Sequence, residues 1–99
     1  MAHRTKEGQK IHDRKVTETA GRLRQAGYKV KADLPGHPKP PKMRGHIPDI
    51  YATKGRKKLV REIETTNTIT ADKVQHQALQ QAAKQSGAEF RVLKAKKKR

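Results

Sequence analysis

Asp49, Glu62 and Glu64 are the residues of this chain whose types and spacing could do chemistry. They fall in two strand-like stretches, Ile47-Pro48-Asp49-Ile50-Tyr51-Ala52 and Lys58-Leu59-Val60-Arg61-Glu62-Ile63-Glu64-Thr65. Only 9 acids stand against 25 lysines and arginines, so the position of each acid carries information. Strand alternation puts Glu62 and Glu64 on one face and Leu59 and Ile63 on the other. A hairpin would lay Asp49 on the facing strand. Carboxylates gathered this way hold a hard divalent cation through oxygen. Such an ion lowers the pKa of a bound water and polarises a phosphodiester. The plainer reading is that the three acids pair with nearby Lys and Arg on a solvated face. Pairs of that kind contribute about 0–1 kcal/mol each, too little to explain the placement by stability alone.

The elements that must position these acids can be read from periodicity. Ile11, Val16, Ala20 and Leu23 approximate one apolar stripe, which predicts a helix from about Gln9 to Gln25 that stops at Ala26-Gly27. Tyr28 to Leu34 alternates apolar and polar and predicts a strand with one buried face. Residues 35–46 hold four prolines, two glycines and several cations, the composition of a basic, partly extended loop. Ile47 to Thr53 and Lys57 to Thr66 read as a hairpin about the turn Lys54-Gly55-Arg56. A second helix follows, with Thr70 as its N-cap, Asp72 in its first turn and Val74, Ala78, Leu79, Ala82 and Ala83 as its buried stripe. Ser86-Gly87 ends it, and Ala88 to Leu93 forms a last strand. Residues 1–8 are read as a loose N-terminus, 9–93 as one domain, and 94–99 as a basic tail with five cations in six residues.

Composition sets the partners. A net charge of +16 on 99 residues attracts polyanions and makes nucleic acid the default partner. No long apolar or strongly amphipathic basic helix argues for a membrane, and no signal peptide is seen. The expectation is a cytoplasmic, nucleoid-associated protein. With no cysteines, disulfides and thiolate zinc sites are excluded. The five histidines, His3, His12, His37, His46 and His76, show no zinc-type spacing. Sixteen Leu, Ile, Val and Phe residues make a thin core, so a bound polyanion should add stability by mass action. Tyr28, Tyr51 and Phe90 read as core or half-core strand residues, too few for a base-stacking platform.

In these residues the chain resembles the PD-(D/E)XK nuclease superfamily, and within it the small archaeal-type Holliday junction resolvases. The resemblance is carried by Ala26-Gly27-Tyr28-Lys29-Val30 after a first helix, by Pro48-Asp49-Ile50-Tyr51-Ala52, and by Leu59-Val60-Arg61-Glu62-Ile63-Glu64. It implies an α/β fold, a small restriction-endonuclease-like α-β-β-β-α-β sandwich with a mixed central sheet. It also implies a Mg2+- or Mn2+-dependent endonuclease acting on branched or duplex DNA, possible as a homodimer. Asp49 and Glu62 then match the metal-binding acids, and Glu18 is the helix-borne acid. Where the family has a lysine two residues after the second acid, this chain has Glu64, a further metal ligand or a base. Lys73, early in the second helix, would supply the absent cation, with Gln77 one turn on. Phosphate contacts are expected from Lys39, Lys42, Arg44 and His46 in the loop, from Lys73 and Gln77, and from Lys94, Lys96, Lys97, Lys98 and Arg99 in the tail. The rival reading keeps the charge and drops the chemistry: a non-catalytic DNA- or RNA-binding protein with a degenerate site.

Overall fold

The computed structural model describes residues 6–65 and 73–95. Helix α1 (Lys6–Gln25) leads into strand β1 (Lys29–Ala32), then β2 (Ile50–Lys54) and β3 (Lys57–Glu64), helix α2 (Lys73–Ser86) and strand β4 (Glu89–Lys94). The four strands form one sheet in the order β1-β2-β3-β4. The first two pairings are antiparallel and β3–β4 is parallel, as a crossover through α2 requires. The result is a small α/β domain with a mixed sheet and two helices.

The helices take opposite faces. Val16 and Ala20 of α1 share one apolar cluster with Val30, Ala32, Ile50, Ala52, Leu59 and Ile63, which alternate along β1, β2 and β3 on a single face. On the other face of β3, α2 sends Gln75 to Glu62 and His76 to Glu64. Both sides of β3 are therefore covered, and its residues from Leu59 to Glu64 are all buried. Arg61, on the α1 side, ties the parallel pair together by donating to the Glu89 carbonyl at 3.1 Å and meeting the Glu89 carboxylate at 3.2 Å. Because the core is thin, each large residue in it counts. Ile50→Ala, at a fully buried position, is expected to cost about 2–5 kcal/mol, seen as a lower urea midpoint with an unchanged slope.

Several boundaries differ from those the sequence predicts, each for a local reason. α1 starts at Lys6, where Glu7 supplies negative charge to the first turn. β2 starts at Ile50, because the preceding Pro48 has no N–H and Asp49 uses its side chain in place of the ladder. Val74, expected in the buried stripe of α2, is 75% exposed. The buried face runs through Leu79, Ala82 and Ala83, and one turn back from Leu79 it carries Gln75 and His76. Thr70 and Asp72, expected to open the helix, lie outside the described residues.

Candidate metal centre

At one end of the domain three elements change from apolar to polar together. Along β3 the α2-facing positions run Val60, Glu62, Glu64. On α2 the stripe through Leu79 continues backwards as His76 and Gln75. On α1 the stripe through Val16 and Ala20 continues backwards, at four-residue spacing, as the buried His12. Ordinary core packing would put aliphatic residues at these places. Here they hold two carboxylates, two imidazoles and an amide.

Hydrogen bonds fix the arrangement. The two-residue turn at Gly55-Arg56, with Gly55 in the left-handed region at φ 59°, sets Lys54 against Lys57. Counting outward, Ile50 pairs with Arg61, and Asp49 falls opposite Glu62. The Asp49 N–H donates to Glu62 Oε1 at 2.9 Å, and Asp49 Oδ2 accepts from the Ile63 N–H at 2.8 Å. His12 Nε2 lies 3.2 Å from Asp49 Oδ1. Gln75 Nε2 donates to Glu62 Oε2 at 3.4 Å. His76 Nε2 is 3.1 Å from Glu64 Oε1. Asp49 thus clasps the hairpin: it orients Glu62 and caps the β3 backbone.

Glu62 and Glu64 are 2% and 1% exposed. Burial pushes the Glu62 carboxyl up to about 9, reinforced by the neighbouring charges of Asp49 and Glu64 and only partly offset by the bonds from the Asp49 N–H and Gln75. A carboxyl in that position takes up either a proton or a cation. Glu62, Glu64 and His76 each offer a ligand atom, and these atoms lie within 4.8 Å of one another. Donors on an ion with bonds of about 2.1 Å stand about 3.0 Å apart when adjacent and about 4.2 Å apart when opposite, so the three side chains would draw in to seat it. The three residues fit a divalent cation, and the imidazole beside two carboxylates suits Mn2+ or Zn2+ better than Mg2+, which prefers oxygen ligands.

The residues expected from sequence fall in distinct places. Asp49, Glu62 and Glu64 come together, with Asp49 beside the trio. His76 joins the two glutamates, although His spacing alone gave it no role. The side chain that α1 brings to Asp49 is His12; Glu18 lies six residues on, about 9 Å along the helix, and at a different angle around it. Lys73 is exposed at the start of α2, one turn before His76, and Gln77 is exposed. Lys39 pairs with Asp33 at 3.0 Å. Arg44, at φ 50°, reaches Gln81 of α2 at 3.0 Å, which ties the basic loop to the helix that carries His76. Lys42 and His46 line a cleft of about 480 Å³ with Asp33, Gly45, Ile47 and Gln75, and Gln75 connects that cleft to Glu62. Lys94 is exposed at the end of β4, while Lys96, Lys97, Lys98 and Arg99 lie outside the described residues. Among the described residues, no helix is long and apolar enough to cross a membrane.

No family model matches the chain, and neither the curated proteins nor the solved structures give a match.

Proposed function

We propose that this protein is a metal-dependent nuclease-like protein of the PD-(D/E)XK type, with a variant centre in which Glu64 stands at the motif lysine. The observation that carries the reading is the buried convergence of Glu62, Glu64 and His76, clasped by Asp49, within a chain of net charge +16. The order α-β-β-β-α-β and the resemblance to small junction resolvases support it. A bound Mn2+ or Mg2+ would supply Lewis-acid activation of a water and of the phosphodiester. Glu62, Glu64 and His76 would hold the ion. Asp49 orients Glu62 through its backbone N–H. Lys42 and His46, lining the cleft with Gln75, would hold the phosphate backbone, and exposed Lys73, one turn before His76, would neutralise developing charge.

A second reading is favoured by Glu64 itself. A carboxylate bonded to His76 cannot donate to developing negative charge as a lysine would. The domain would then bind nucleic acid without cutting it, with the ion or the His76–Glu64 pair holding the fold. One experiment separates the two. Four-way junction, linear duplex and single-stranded DNA are incubated with the protein and Mn2+. The nuclease reading expects cleavage that Glu62→Gln abolishes and that Asp49→Ala lowers through loss of the Asp49 Oδ2 bond to the Ile63 N–H. Absence of cleavage on every substrate, or cleavage indifferent to both variants, leaves the binding protein.

Metal binding gives a further expected outcome. Millimolar Mn2+ should raise the melting temperature by several degrees through mass action, and His76→Ala should remove most of that rise. Differential scanning fluorimetry with Mn2+, Mg2+ and chelator reads both effects.

A further inference from the structure

Among the described residues, α2 covers only the β3–β4 half of the sheet face that carries Glu62 and Glu64. α2 packs on β3 and β4 and makes no close approach to β1 or β2. Register places Lys31 beside Tyr51 and Lys29 beside Thr53, and Tyr51 beside Val60. These residues therefore share the face of Val60 and Glu62, opposite the α1 cluster. Lys29 and Lys31 are exposed, and Tyr51 and Thr53 are half-buried. Pro38 of the basic loop folds over the edge, its carbonyl accepting from the Ala32 N–H at 3.0 Å. Between it and the sheet lies a groove of about 400 Å³ lined by Lys29, Val30, Lys31, Pro38, Tyr51 and Thr53. Lys58 stands at the border with α2, 3.4 Å from the Ser86 carbonyl.

We infer that this open half-face is a binding surface for a single-stranded nucleic-acid segment, with one base seated against Tyr51 in the groove and its flanking phosphates on Lys29 and Lys31. Two lysines at alternate positions of a strand stand about 6.6 Å apart, a separation that suits successive phosphates of an extended strand. A duplex keeps its bases stacked and presents none to a groove of this kind, whereas a single strand can splay one out. Cationic side chains on a flat sheet repel a second copy of the same face. This binding is independent of the catalytic reading and of any metal.

The test uses the full chain and a labelled oligothymidylate of 15 nucleotides, in chelator, with anisotropy followed across a KCl series. Lys29→Ala/Lys31→Ala is compared with Lys10→Ala/Lys84→Ala, an equal charge loss on exposed helix positions. The surface pair should weaken binding tenfold or more and flatten the log–log salt slope by about 1.4, at about 0.7 per phosphate contact. The helix pair should change affinity less than threefold. Tyr51→Ala should cost roughly five- to hundredfold with the slope unchanged, as loss of one stacked base does. In a Tyr28→Phe background, Tyr51 is the remaining tyrosine, and its fluorescence should fall on binding; this holds even where Tyr51→Ala does not fold. Equal losses from the two lysine pairs would overturn the proposal. So would an unquenched Tyr51, or competition by duplex or polyglutamate as strong as by the oligonucleotide. Chelator keeps the outcome separate from that of the cleavage experiment.

Discussion

Glu62→Gln removes the Mn2+-dependent rise in melting temperature, and lowers metal-dependent cleavage by on the order of a hundredfold or more. The same variant makes the metal-free protein more stable at pH 8. These opposite effects share one cause. Glu62 is 2% exposed and sits beside Asp49 and Glu64, so its charged form is disfavoured. Glutamine keeps the shape, the acceptor for the Asp49 N–H and the proximity to Gln75, and removes the ionisation. A side chain present only to support the fold would show no link between lost metal response and gained metal-free stability. Parallel melts of wild type and variant, with Mn2+ and with chelator, test the link directly. Loss of stability in both conditions would mean that Glu62 is a structural hydrogen-bonding residue.

The second large effect is on pH. In chelator, wild-type stability should fall as pH rises from about 4.5 towards about 9. The unfolded chain releases the Glu62 proton near the ordinary 4.5, while the folded chain holds it up to about 9. Between those values the unfolded state binds fewer protons than the folded state, so the slope of unfolding free energy against pH is negative. The stabilising contribution is complete below 4.5 and lost as pH passes through the folded value. One such group changes stability by at most about 1.4 kcal/mol per pH unit. Other groups contribute equally to both curves, so the diagnostic quantity is the difference between wild type and Glu62→Gln. Urea midpoints at half-unit intervals from pH 5 to 9 should converge at the acidic end and diverge above it. Parallel curves for the two proteins would show that burial does not hold the Glu62 proton.

Much of this site is legible in the amino-acid order because a hairpin has a countable register. Gly55-Arg56 makes a two-residue turn, and counting outward from it sets Asp49 opposite Glu62. Period-two alternation then puts Glu62 and Glu64 on one face. The helices are less legible at their polar ends, where the apolar stripe gives way to Gln75, His76 and His12. Val74 fits the helical spacing yet is exposed, whereas Leu79, Ala82 and Ala83 are buried as the stripe predicts and, read one turn back, give Gln75 and His76. The same step from Val16 and Ala20 gives His12. A functional layer that replaces core positions with polar ones breaks the very pattern used to find them. Glu18 illustrates the converse: the right residue type on the right helix, at an angle and height that the stripe itself places elsewhere. Nor could periodicity show that α2 covers only half the sheet, since that depends on where the crossover lands.

A metal centre requires that Glu62, Glu64 and His76 close around one divalent ion. Crystals grown with Mn2+, with diffraction recorded at a wavelength where manganese scatters anomalously, answer this. The expected result is one anomalous peak bonded at about 2.2 Å to a carboxylate oxygen of each glutamate and to His76 Nε2. An empty map there, with His76 still paired to Glu64 as in the metal-free protein, would contradict the metal centre and leave a basic domain whose buried acids serve only its fold.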